Sequence, residues 1–235
     1  MQGFQAGPTG RIVSGEGNAM AMQTLLVANP KGGSGKTTLA TKIAGWLAAK
    51  KQRVVLADFD PLRSATEWLA RRPPLFPAIS GWTPNAGKED LKEHHPQWLV
   101  LDTPAGLHGD ALRDVVRRAD ILLVPVSPSA FDTAATQHFL DQIGEYKAIK
   151  KGDIAVGLVA MRVDPRTNSA AELEEFLKSF DFPLVAHLRA TQVYVHCARD
   201  GLTIADLPHS RAEQDLEQWR PLTRWIARHS TGKNG

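Results

Sequence analysis

The apolar run Leu25-Leu26-Val27-Ala28 ends abruptly in Asn29-Pro30-Lys31-Gly32-Gly33-Ser34-Gly35-Lys36-Thr37-Thr38, after which Leu39, Ile43 and Leu47 recur at i, i+4 and i+8. A strand, a glycine-rich turn and an amphipathic helix in that order are the repeating unit of parallel sheets. Three glycines at positions 32, 33 and 35 let the backbone take dihedrals closed to other residues, so its N–H groups can converge on an anion. Lys36 follows where a lysine reaches phosphate oxygens, and Thr37 where a hydroxyl reaches Mg2+. The plain Gly-x-x-x-x-Gly-Lys-Thr spacing fails at Pro30, where its first glycine is due. The form that holds throughout is Lys-Gly-Gly-x-Gly-Lys-Thr-Thr, with a second lysine, Lys31, at the mouth of the loop.

The rest of the chain repeats the alternation. Strands are expected over 24–29, 53–58, 98–102, 121–125, 154–160 and 184–186, with helices over 36–50, 64–71, 109–118, 132–148 and 169–180. The helical spans carry explicit periods: Leu112, Val115, Val116, Ala119 in one, Leu173, Phe176, Leu177, Phe180 in another. Such alternation predicts an α/β fold, a doubly wound and mostly parallel sheet flanked by helices on both faces. Between Pro73 and Pro96 the pattern dissolves into Pro, Gly and charged residues, the place for an irregular insertion or an edge strand. Residues 1–21, rich in Gly, Gln and Ser without apolar period, are expected to be a leader outside the fold, and residues 22–235 one phosphate-loop domain.

Ligands of doubly wound sheets sit at the carboxyl ends of the strands, and carboxylates stand there. The second strand ends Asp58-Phe59-Asp60-Pro61, and a later one Leu101-Asp102-Thr103-Pro104-Ala105-Gly106. Asp102 is placed to hold Mg2+ through its water shell, or else to cap the next helix. Asp58 and Asp60 share a face by period two, so both can look into one crevice, or one of them can anchor the loop. Phosphoryl transfer to water needs the cation, positive charge at the γ-phosphate and a group that orients the water. The guanine-reading Asn-Lys-x-Asp signature is absent, and the nearest strand end reads Ala160-Met161-Arg162-Val163-Asp164.

On these motifs the chain resembles the ParA/MinD family of deviant Walker-type ATPases, over about residues 22–210, and within it the small plasmid-partition (ParF-type) proteins. Val124-Pro125-Val126-Ser127-Pro128-Ser129 is similar to the family's proline loop near the base, and Ala190-Thr191-Gln192-Val193-Tyr194-Val195 with Asp200-Gly201-Leu202-Thr203 points to the partition branch. The resemblance implies ATP and Mg2+ as cofactors. It gives Lys31 a crossing to the phosphates of a partner subunit, Asp60 the hydrolytic water, Asp58 and Asp102 with Thr37 the metal, and Gly32, Gly33, Ser34, Gly35, Lys36, Thr38 and Arg162 the nucleotide. It implies a homodimer in the ATP state, slow hydrolysis stimulated by a cargo-linked activator of ParB type, and non-specific binding to nucleoid DNA in the cytoplasm. Two departures stand out: Leu62 where the family usually has glutamine, and Ala105 where a second proline is common.

Charge permits the DNA reading without requiring it, since 28 basic and 25 acidic residues leave +3. Candidate contacts are Arg189, Arg199, Arg220 and Arg224, with Arg113, Arg117 and Arg118 as a second patch. About 21 residues ahead of the loop cannot hold a helix-turn-helix, so operator binding is not expected. The terminal Trp219, Leu222, Trp225 and Ile226 have helical spacing interrupted near Pro221, and either pack on the sheet or, as in MinD-like proteins, lie on a membrane. Membrane contact is the lesser expectation. A metabolic enzyme of the dethiobiotin synthetase type is the third reading, and it leaves Lys31 without a task. The single Cys197 rules out an internal disulfide and a zinc or iron–sulfur site, which excludes the related nitrogenase iron protein and fits a reducing cytosol.

Overall fold

The computed structural model describes residues 22–128 and 133–230; the expected leader and Ser129 of the proline loop lie outside them. Strand β1 (Gln23–Val27) leads through the glycine loop to α1 (Lys36–Ala49), β2 (Val54–Asp58) and α2 (Ser64–Ala70). Then come β3 (Ser80–Trp82), α3 (Gly87–Glu93), β4 (Trp98–Asp102), α4 (Gly109–Val116) and β5 (Ile121–Val126). The chain continues through α5 (Thr133–Gly144), α6 (Lys147–Lys150), β6 (Ala155–Met161), α7 (Asn168–Lys178), β7 (Leu184–Leu188), α8 (Gln192–Arg199) and α9 (His209–His229).

The seven strands form one parallel sheet in the order β3-β2-β4-β1-β5-β6-β7. Period two along the strands divides the core. Leu25, Val27, Ile121 and Leu123 face a layer with Leu39 and Ile43 of α1, Trp68 of α2, Tyr194 of α8 and Trp219, Leu222 and Ile226 of α9. Leu26, Leu122 and Val124 face the opposite layer, with Leu112 and Val116 of α4, Phe139 and Ile143 of α5 and Leu173 and Leu177 of α7. Buried on both faces, the strands read as continuous apolar runs. The irregular 73–96 segment supplies β3, paired with β2 at the sheet edge, as expected of an edge strand there.

Three local expectations are corrected. The helix expected over 132–148 breaks after Gly144, with Tyr146 extended ahead of α6; glycine is a poor helix interior residue. The short polar helices α3 and α8 were not foreseen. Pro221 does not interrupt α9, which runs through it for 21 residues. Pro221 and Glu217 are both exposed, so the carbonyl that loses its partner can turn to water, and the buried stripe Ala212, Asp215, Trp219, Leu222, Ile226 holds the helix down. That stripe is core, with Trp219 Nε1 donating to the Tyr194 hydroxyl at 2.8 Å, so the apolar face of α9 is occupied by the sheet and not presented to a membrane. Among the described residues no helix is long and apolar enough to cross a membrane.

Candidate functional site

The glycine loop lies at the carboxyl end of the central strand β1, with β4 on one side and β5 on the other. Its carbonyls are tied off one after another. Gly106 N–H donates to the Pro30 carbonyl at 2.7 Å and Lys36 Nζ to the Lys31 carbonyl at 2.8 Å. Arg162 Nη2 donates to the Gly33 carbonyl at 2.6 Å, Ser127 Oγ to the Ser34 carbonyl at 3.4 Å, and Leu39 N–H to the Gly35 carbonyl at 2.9 Å. The Lys31 N–H is held by Asn29 Oδ1 at 2.8 Å, and Asn29 is itself anchored by donating from Nδ2 to the Pro125 carbonyl. With carbonyls so engaged, the N–H groups from Gly32 through the first turn of α1 are what the loop offers a ligand, and that is the arrangement that binds phosphate. Gly33 and Gly35 take φ of 72° and 100°, values that L side chains rarely adopt.

Asp102 closes β4 and pairs in register with Val27 of β1 and Asp58 of β2. It is 0 % exposed, and neither carboxylate oxygen has a hydrogen-bond partner among the described residues. Burial pushes its pKa up to about 7; the Thr37 hydroxyl and Lys36 draw it down, while Asp58 and Asp60 add to the rise. Burial lowers the pKa of Lys36, and Asp102 and Asp60 oppose that. A buried carboxylate with unused oxygens, beside a hydroxyl and a phosphate loop, suits a hard cation that prefers oxygen ligands. The set fits Mg2+, with Thr37 and Asp102 as the residues that would hold it.

Asp58 and Asp60 are separated by their partners. Asp58 Oδ2 accepts from the Thr66 N–H at 2.8 Å and the Thr66 hydroxyl at 2.9 Å, and Oδ1 accepts from the Asp60 N–H at 3.1 Å. Its carboxylate therefore anchors the loop onto the first turn of α2, the alternative employment to the metal shell. The Asp60 carboxylate accepts through Oδ1 from the Leu62 N–H, at 2.9 Å. The Leu62 side chain is 77 % exposed. Thr37 and Thr38 share a cleft of about 180 Å³ with Ser64 and Glu67 of α2. Arg162, expected among the nucleotide-binding residues, reaches the phosphate loop through the Gly33 carbonyl.

The arginines expected at DNA fall into two classes. Arg189 forms a two-pronged pair with buried Asp215, at 2.7 and 3.1 Å, and Arg199 one with Asp200, at 2.6 and 2.8 Å, so the structure gives both guanidiniums a carboxylate partner. Arg220 and Arg224 are exposed on the solvent side of α9.

Sequence reading missed a buried polar cluster behind α1. Lys42 Nζ donates to the Leu202 carbonyl at 2.9 Å and lies over the Trp68 ring. Arg72 forks onto Asp206 at 2.8 and 3.0 Å. Asp206 also accepts from the Thr203 N–H and hydroxyl, a capping box that the Thr-x-x-Asp spacing could have disclosed.

Residues 25–203 match the CobQ/CobB/MinD/ParA nucleotide binding domain family. The maintenance of carboxysome distribution protein A of Gloeobacter kilaueensis is 32% identical over 214 residues, 84% of this chain and 96% of that protein. Protein ParA of Rhizobium radiobacter is 31% identical over 176 residues, 70% of this chain and 78% of its own. Among solved structures, a plasmid partition protein from Borrelia burgdorferi bound to AMPPNP superposes with a TM-score of 0.65 at 15% identity, covering 86% of this chain and 99% of the other. That likeness is one of fold.

Proposed function

The chain belongs to the CobQ/CobB/MinD/ParA nucleotide-binding family, in its branch of ParA-like positioning ATPases, and on that premise we propose that it hydrolyses ATP slowly to switch between a DNA-bound dimer and a free monomer. The observation that carries the reading is the loop from Lys31 to Thr37, with its carbonyls tied away from the ligand and unsatisfied Asp102 beside Thr37.

In this reading the loop N–H groups and Lys36 bind the β- and γ-phosphates. Thr37 and Asp102 would hold Mg2+, which would supply charge neutralisation at the phosphates. Asp60, held through Oδ1 by the Leu62 N–H and with its second oxygen unengaged among the described residues, orients the attacking water. Lys31 reaches the phosphates of a second copy, so that only the state bearing the γ-phosphate favours the dimer over the monomer. Two such subunits close face to face on their nucleotides. Arg220 and Arg224 face DNA phosphates, binding without sequence preference. An activator carried by the cargo, of ParB type, stimulates hydrolysis and releases the DNA. The freight in this reading is a plasmid, a chromosome region or a protein assembly, a reading that the relatives' names support.

The test is to measure size by light scattering and DNA binding by anisotropy with Mg·ATP, with Mg·ADP and with no nucleotide. Dimer and DNA complex are expected with ATP alone. Equal behaviour in all three conditions rejects the switch.

A further inference from the structure

The end of β6 meets the phosphate loop twice. Met161 packs beneath Gly35, close enough that a Cβ on that glycine would lie 2.9 Å from Met161 Cε. Arg162 then turns outward in a left-handed backbone conformation, φ 55°, which costs a residue with a side chain and persists where surroundings impose it. The turn delivers its guanidinium to the loop, where Nη2 donates to the Gly33 carbonyl at 2.6 Å and to Ser127 Oγ at 2.9 Å. Ser127 in turn donates to the Ser34 carbonyl.

Gly33 has positive φ, and a Cβ there would meet nothing within 4 Å, so on its Gly33 side the Gly33–Ser34 peptide has no close neighbour where a side chain would stand, while Ser34 on the other side is buried. If that peptide turned over, the Gly33 carbonyl would point at the phosphates and the Ser34 N–H would leave them. A charged donor on the carbonyl is a strong single restraint against that rotation. The other carbonyl ties come from α1 itself, from β4's loop and from β5's loop. Arg162 is the cationic one among those that come from outside the loop and α1.

We infer that Arg162 is a positioning residue that locks the Gly33–Ser34 peptide in its phosphate-binding orientation, a polyphosphate-affinity role and not a base contact. The inference rests on the nucleotide-binding reading above.

The test compares wild type with Arg162→Gly and Arg162→Lys by titration with Mg·ATP, Mg·GTP and inorganic tripolyphosphate, alongside the thermal midpoint without ligand. Arg162→Gly suits the left-handed backbone, so its fold is expected to be as stable as wild type. Losing one charge-assisted hydrogen bond predicts about tenfold weaker binding of all three ligands, by the same factor, with partial recovery in Arg162→Lys. Weakening confined to ATP, with GTP and tripolyphosphate unchanged, makes Arg162 a base reader and overturns the inference. So does unchanged binding by Arg162→Gly when wild type binds ATP. A wild type that binds none of the three sinks the nucleotide reading itself.

Discussion

Asp58 and Asp102 end neighbouring strands in register, yet among the described residues the Asp58 carboxylate accepts three hydrogen bonds and the Asp102 carboxylate none. The fold completes one carboxylate and leaves the other exposed to nothing but its site.

Asp102→Leu keeps the number of side-chain heavy atoms and removes the buried, unsatisfied oxygens. At neutral pH the nucleotide-free variant is expected to be more stable than wild type by about 1–3 kcal/mol, the penalty for a buried polar group without a partner. Mg·ATP, which should raise the denaturation midpoint of wild type, should add nothing to the variant. Denaturant titrations with and without Mg·ATP check both halves; a less stable variant would show that Asp102 has a partner in the folded chain.

Asp58→Ala should behave in the opposite way. It removes the acceptor of the Thr66 N–H and hydroxyl and is expected to cost about 1–2 kcal/mol, as losing a helix-cap side chain does. Combined with Thr66→Val, the two losses should fall short of their sum, because the residues share one interaction. Strict additivity would separate them and return Asp58 to the metal.

How far these roles could be read in sequence depended on range. The strands and the loop were legible because burial on both faces writes continuous apolar runs, and because Lys31, Gly32, Gly33, Gly35 and Lys36 fix each other's spacing. Asp60 and Asp58 were visible as a pair on one face, but nothing local says that Thr66, eight residues on, takes one of them. Arg72 and Asp206 meet across 134 residues, and no periodicity reports such a contact. Helix α8 hid because only Tyr194 and Cys197 of it are buried, too few to set a period. Pro221 misled because the cost of a proline depends on whether the freed carbonyl can reach water, which sequence does not state.

Lys31→Ala leaves Lys36, the loop backbone and Asp102 in place, so ATP affinity of the monomer should stay within a few-fold of wild type. ATP-provoked dimerisation should be lost, and with it stimulated turnover. Light scattering with Mg·ATP decides it; a variant that still dimerises removes Lys31 from the interface.

Burial holds the Lys42 amine at a pKa of about 8 against an ordinary 10.5, with Cys197 and Asp206 opposing and Arg72 assisting. Between those values the unfolded chain binds the proton more fully than the folded one, so Lys42 makes stability rise with pH from about 8 to 10.5. Burial raises the pKa of the Cys197 thiol, which acts in the opposite sense at the upper end. The difference in unfolding free energy between wild type and Lys42→Met isolates the lysine, and should move in favour of wild type across that window. A flat difference would mean that the amine titrates normally.

The arginines separate by partner. Arg189→Ala strands the Asp215 carboxylate, which is fully buried, and is expected to destabilise by about 1–3 kcal/mol, as leaving a buried acceptor without its partner does, with Arg189 itself 30 % exposed. Any loss of DNA binding then follows from loss of fold and leaves the salt slope of the remaining native protein unchanged. Arg220→Ala and Arg224→Ala touch exposed positions and should alter stability by no more than about 0.5 kcal/mol. Each should lower the slope of log affinity against log salt by about 1, the mark of one phosphate contact removed, and should weaken all DNA sequences alike. Fluorescence anisotropy with Mg·ATP across a salt series gives the slope directly. If Arg220→Ala and Arg224→Ala keep the wild-type slope, while Arg117→Ala and Arg118→Ala beside α4 reduce it, the DNA face lies on the opposite layer of the sheet from α9.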